Sequence, residues 1–275
     1  MSPGRSVLAA VVAVVAGVAP VSGAGAPPVV RPGGIVRWSA QGVEACALGE
    51  RRWEPLSAEC FFPLDLRAAP GPRVLTLWQG GERATRTVMV GEPPYPVERI
   101  HLPDDRRVHL SPADLARVLR EQERLKPLWE SEGPRLFALP LRRPLSRRAK
   151  GRNFGSKRII NGEARSPHSG LDFHARRGDP VLAVGRGTVA ASHDLFFGGK
   201  SVFIDHGDGL ISMYMHLSRV GVEVGQRVER GQKIGAVGST GRATGPHLHF
   251  GLRWHGARVD PSLLFGAPAA IPELK

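Results

Sequence analysis

The sequence has few aromatic residues, only two cysteines, and no apolar run long enough to cross a bilayer. Phe, Trp and Tyr make up 6% of its 275 residues, against 34 glycines and 24 prolines. A chain of that composition is built from short strands and many turns rather than from long packed helices. Acidic residues are also scarce, with 25 Asp and Glu facing 38 Lys and Arg, for a formal net charge of +13. Such a balance favours an anionic partner (nucleic acid, acidic lipid or a carboxylate-bearing wall polymer) without choosing among them. The apolar run Val7–Ala19 is thirteen residues long, short of the ~20 that span a membrane, so no stable membrane anchor is expected. It follows Arg5 and precedes the small residues Ser22–Ala26, the layout of a secretory signal peptide over residues 1–26. Export is therefore expected, to the periplasm first and the extracellular space second. No cysteine sits near the cleavage region, which argues against a lipoprotein.

Cys46 and Cys60 suit a disulfide in an exported chain, worth roughly 3 kcal/mol for so short a loop; two buried thiols are the alternative. Neither has a close partner for a CxxC metal or redox motif. Between Arg142 and Arg158, eight of seventeen residues are Lys or Arg. The segment lacks interleaved aromatics and a reading helix, so it is read as solvated basic surface, and no nucleic-acid partner is expected.

The length suits two modest domains and a leader. Residues 27–92 carry the runs "GIVRWSA", "RVLTLWQ" and "TRTVMV" between Gly/Pro turns, which predicts a small β-sandwich-like domain. Residues 93–134 form a Pro-rich linker and a helix that starts at Ser111 as N-cap with Pro112 at its first position. Leu115, Val118, Leu119 and Leu125 form its expected core-facing stripe. Residues 135–267 are dense in Gly-separated strands, a β-barrel or sandwich, and 268–275 are a tail. The fold class is mainly β.

Within 135–267 the histidines are patterned. In "TGPHLHF", His247 and His249 lie two apart on a predicted strand and so share a face. In "SPHSGLDFH", Gly170 and Pro167 disfavour a helix, so His168 is a loop residue entering a strand that carries Asp172, with His174 on the same side. "ISMYMHLS" alternates, which puts Tyr214 and His216 on one face. Zinc takes imidazole nitrogen and carboxylate oxygen, and catalytic sites use three protein ligands with one position left open. Four histidines and one aspartate exceed that need, as suits a hydrolase with bases beside the metal. Arg242, Thr244 and Asn161 flank these motifs as candidate substrate contacts, and His206 is read as satisfying local backbone.

"PHSGLDF", "YMHL" and "GSTGRATGPHLHF" closely resemble the M23 (LytM/lysostaphin-type) zinc metallopeptidases, over about Phe137–Phe265. The resemblance implies a LytM-type β fold and a zinc metalloendopeptidase that hydrolyses peptide bonds of peptidoglycan stem peptides or cross-links. It implies one Zn2+ held by His168, Asp172 and His249, with His216 and His247 as the catalytic histidines, either of which can be the base. The partner is then a peptidoglycan peptide. The alternative is a noncatalytic wall-binding or hydrolase-activating protein on the same fold, against which the filled ligand positions argue. A biotinyl- or lipoyl-type carrier lacks its turn lysine. Nothing in the sequence fixes the oligomeric state or the bond cut.

Overall fold

The computed structural model describes residues 26–102, 106, 108–145 and 150–274. All of the expected leader but Ala26 lies outside them. Alternating and fully apolar runs become strands almost throughout, and Pro112–Leu125 is the one α-helix among the described residues.

The first unit is a five-stranded sheet in the order Val29–Val30, Glu82–Val90, Gly71–Gln79, Val43–Leu48, Arg51–Trp53. A second, two-stranded layer pairs Ile35–Ser39 with Glu59–Pro63. Cys46 belongs to the first layer and Cys60 to the second, and they are disulfide-bonded with Cα atoms 5.6 Å apart. The bond therefore staples two layers across a core of Val36, Trp38, Phe62, Leu75, Leu77 and Val88. The run "ECFFP" explains how this unit joins the rest. Period-two geometry sends Cys60 and Phe62 into that core, while Phe61 and Ile35 point the other way into the main core of the chain. The two-stranded layer is thus buried on both faces. The C-terminal segment closes the same junction: Ile271 packs in the main core and Leu274 in the N-terminal one, so the expected tail is partly a packing element.

The main sheet is antiparallel and runs Arg227–Val228, Gly187–Leu195, Gly199–Asp205, Leu210–Leu217, His247–Trp254, Gly170–His174, Gly151–Arg152, with Ala257–Val259 added beside His247–Trp254. One face carries Leu171, Phe173, Tyr214, Leu248 and Phe250 into the main core. The other face is divided. Part is covered by the helix and the 3-10 turn after it, where Leu125, Leu128 and Trp129 pack on Ala191, Leu195, Phe203, Ile211 and Met213; the remainder carries Asp172 and the histidines.

The helix begins as its sequence indicates, with Ser111 Oγ accepting from Asp114 N–H and Pro112 in the first turn. Its expected stripe is only partly inward. Val118 is buried, but Leu115 and Leu119 are 47% and 52% exposed. The helix is rolled because polar groups claim its inner face: Glu121 Oε2 accepts from Phe196 N–H (2.9 Å), and Arg117 Nη2 donates to Asp194 O (3.0 Å). Val118, Glu121 and Leu125, rather than Leu115 and Leu119, face the sheet, and Arg117 reaches it with its guanidinium alone. The linker before it also carries structure. Val97–Ile100 is a strand that pairs in parallel with Lys157–Ile160, which in turn pairs with Glu163–Ala164.

Candidate metal centre

His168 sits on the loop entering Gly170–His174, held by its backbone: its N–H donates to Ser156 O (3.0 Å), and its O accepts from Gly155 N–H (2.8 Å). Asp172 and His249 are direct partners across neighbouring antiparallel strands, as are His174 and His247. Directly opposed residues share a face and stand close together, so this register brings the aspartate and the histidine pair to one spot. Three atoms converge there. Asp172 Oδ1 lies 2.9 Å from His249 Nδ1 and 3.0 Å from His168 Nε2, and the two nitrogens are 2.8 Å apart. Among the described residues this is the single group of three or more His, Cys, Asp or Glu side chains close enough to share an ion.

Gly170 is required by the same convergence. A Cβ on it would stand 2.5 Å from Phe250 O and 2.7 Å from His249 Nε2, so only glycine lets the two strands and the His249 ring close up.

The other two histidines complete the wall. His247 Nε2 is 3.9 Å from Asp172 Oδ1, and the His216 ring centroid is 4.7 Å from that of His247 and 6.0 Å from that of His249. His216 reaches them through its backbone. Regular alternation puts Tyr214 and His216 on one face, and that expectation fails. Tyr214 is fully buried in the main core, whereas His216 adopts φ +64° and turns to the opposite face. A non-glycine residue in the left-handed region is uncommon and costly. Here it is held by His216 N–H donating to Gly198 O (2.8 Å) and Nδ1–H donating to Thr240 O (2.8 Å).

Hydrogen bonding fixes the tautomers. A carbonyl only accepts, so His168 Nδ1–H donates to Asn153 O (2.8 Å), and His247 Nδ1–H donates to Gly245 O (2.9 Å), as His216 does to Thr240. Each neutral ring therefore presents a bare Nε2. Burial, then the neighbouring His249 and His247 rings, push the His216 imidazole down to about 3, and burial pushes that of His249 down to about 4. Burial alone would raise the Asp172 carboxyl, but the His168 and His249 imidazoles outweigh it and hold it well below the usual carboxylate range.

His174, Arg242 and Thr244 line the cleft over this cluster, together with Ile100, Leu102 and Ile160. Asn161 is not among the residues that line it. Its side chain clamps Leu102, accepting from that N–H (2.9 Å) and donating to that O (3.0 Å). His206 is buried, with Nδ1–H donating to Arg186 O (2.7 Å), as expected of a backbone-satisfying histidine; its Nε2 also pairs with Ser212 Oγ (2.7 Å). Sequence reading missed three residues: Arg158, which donates to Asp172 Oδ2 (3.2 Å), and Glu98 and Asn153 behind it. Arg158 was hidden in a basic run and Glu98 in a linker. The parallel pairing that sets Glu98 opposite Arg158 has no local signature.

Comparison with known proteins agrees with this geometry. The model of peptidase family M23 matches residues 166–261, which contain all five clustered residues. Two similar proteins of Vibrio cholerae are named peptidoglycan DD-endopeptidases. ShyC is 41% identical over 135 residues, and ShyA is 42% identical over 109. Those matches take in 48% and 39% of this chain but only 31% and 25% of the relatives, so the chain spans less than a third of their length. The crystal structure of an M23 peptidase from Pseudomonas aeruginosa superposes with a TM-score of 0.66 at 30% identity, covering 88% of this chain and 96% of that one. With a likeness of that extent to an M23 peptidase and the family's signature over its histidine cluster, the chain belongs to peptidase family M23.

Proposed function

We propose that the chain is an exported, zinc-dependent endopeptidase that hydrolyses peptide bonds in peptidoglycan stem peptides or cross-links. In this reading His168, Asp172 and His249 hold the ion, and His216 and His247 handle protons. The observation that carries it is the donor set. His168 Nε2, His249 Nδ1 and Asp172 Oδ1 lie within 3.0 Å of one another. His168 has committed its proton to Asn153 O, Asp172 is ionised, and so at most one proton is shared among three electron-pair donors. A cation suits such a trio better than a proton does, and two imidazoles with one carboxylate are a ligand set that zinc takes while keeping a position open. Held there, zinc would supply Lewis acidity toward water and the scissile carbonyl.

The remaining work falls to the chain. His216 and His247, each with its proton on Nδ1, both present bare Nε2 atoms beside the trio, so either can take the proton of an attacking water. The ring that gains the proton becomes an Nε2–H donor, able to stabilise the developing oxyanion or to pass the proton to the leaving amine. Their Nδ1–H bonds to Thr240 and Gly245 carbonyls keep both rings in the accepting tautomer. Ile100, Leu102 and Ile160 form an apolar wall of the cleft, with Arg242 and Thr244 also lining it, an arrangement suited to an extended peptide bearing carboxylates. The DD-endopeptidase names of ShyC and ShyA support the cross-link as the substrate, and the net positive charge supports attraction to an anionic wall.

Digestion of purified peptidoglycan, followed by mass analysis of the released fragments, tests the reading. The expected products are peptides cut at cross-links, lost on chelation and restored by zinc. Intact peptidoglycan in the presence of zinc-loaded protein would refute it.

A further inference from the structure

The three converging atoms account for only one oxygen of Asp172. Its Oδ2 turns away from the histidines and accepts a hydrogen bond from Arg158 Nη2 (3.2 Å). Arg158 Nε in turn lies 3.4 Å from Glu98 Oε2. Glu98 is tied to the other side of the site as well. Its Oε2 accepts from Ser156 Oγ (3.0 Å) and its Oε1 from Asn153 Nδ2 (3.1 Å), while Asn153 O is the acceptor that fixes the His168 ring. One carboxylate on a strand of the linker thus braces both the turn that orients His168 and the guanidinium that orients Asp172. Glu98 and Arg158 are directly paired across parallel strands, so the backbone holds their spacing. Glu98, Asn153, Ser156 and Arg158 all precede the stretch matched by the family model, which begins at residue 166.

We propose that Arg158, held in place by Glu98, is a positioning residue for Asp172: it engages Oδ2 and leaves Oδ1 alone to face the histidine nitrogens. A carboxylate free to rotate can offer either oxygen or both, whereas one pinned by a guanidinium is confined to a single donor in a fixed direction. The Arg158 charge also separates two carboxylates, Asp172 and Glu98, that would otherwise repel. Because the Arg158 and Asp172 side chains are only 20% and 12% exposed, water substitutes poorly for the contact. The strand Val97–Ile100, outside the family-matched region, is by this argument a working part of the centre. The inference rests on the metal-binding reading given above.

The test is zinc affinity, measured by competition with a chromogenic chelator, for the whole chain and for Arg158→Gln, Arg158→Lys and Glu98→Gln, alongside kcat and KM on a cross-linked peptide. Removing a contact to the residue that holds a metal commonly costs 10–100-fold in affinity, and a loss in that range is expected for Arg158→Gln, with a smaller one for Glu98→Gln. Arg158→Lys keeps the charge without the fixed fork and should recover part of the loss. At saturating zinc, kcat should fall while KM stays within about twofold. A rise in KM with zinc affinity unchanged would make Arg158 a substrate contact and overturn the proposal. Zinc affinities equal to the parent's in both Arg158→Lys and Glu98→Gln would also overturn it, even if Arg158→Gln failed to fold. A parent chain that binds no zinc would instead refute the metal-binding reading itself.

Discussion

Gly170→Ala tests whether the glycine of "HSGLD" exists to let the strands that carry Asp172 and His249 close. The added methyl would meet Phe250 O at 2.5 Å and His249 Nε2 at 2.7 Å, both nearly an ångström inside ordinary carbon contact. One obstacle is backbone and the other is a ring in the converging trio, so neither can move aside without opening the pairing of Gly170 with Gly251 or shifting His249. Overpacking of this kind costs about 1–3 kcal/mol, a fall in midpoint of roughly 4–8 °C for about 2 kcal/mol at this chain length. The functional effect should be larger than the stability effect, because a His249 ring displaced by a fraction of an ångström no longer converges with Asp172 and His168. Gly266→Ala is the control, since a methyl there meets nothing within 4 Å and should leave stability unchanged or slightly raised. Thermal unfolding and zinc stoichiometry of both variants provide the assay. Gly170→Ala with parental midpoint and full zinc would refute the steric argument.

Three further outcomes are expected. His206 is buried and its imidazole is pushed down to about 4 from 6.5; the unfolded chain therefore binds the extra proton first, and stability present above pH 6.5 is lost as pH falls through 4. The total is roughly 3 kcal/mol, and His206→Gln should flatten a urea-midpoint profile across that window by about this amount, whereas parallel profiles would contradict the assignment. Cys46→Ser with Cys60→Ser should lower stability by roughly 3 kcal/mol, as a fourteen-residue separation implies, seen as an earlier chemical-unfolding midpoint; an unchanged midpoint would show that the inter-layer staple is not needed. His216→Ala should retain zinc and lose most turnover, while His249→Ala should lose both, and the reverse pattern in metal analysis would exchange their roles.

How far these features were legible from the sequence follows from their range along the chain. His247 and His249 share a face because strand parity is a local rule, and Asp172 follows from the Gly-Pro breakers around His168. Helix initiation at Ser111 was equally local. Parity misled at His216, because a residue in the left-handed region reverses faces and nothing in "ISMYMHLS" announces it. The helix stripe misled in the same way, since Glu121 and Arg117 found partners at the end of the strand Gly187–Leu195 and the turn after it, some 75 residues distant, and rolled the helix toward them. Arg158 and Glu98 were out of reach because their roles depend on a parallel pairing between segments 60 residues apart. Composition and motif spacing carry chemistry that lies on one strand; contacts assembled by tertiary pairing leave no such mark.

One ion held by His168, Asp172 and His249 is the centre of the proposed function, and metal analysis of the purified chain beside its Asp172→Ala variant tests that most directly. One zinc per chain is predicted for the parent and close to none for the variant, with peptidoglycan cleavage lost in parallel. A chain that cleaves peptidoglycan at full rate while holding no metal, or an Asp172→Ala variant that keeps its zinc, would contradict it.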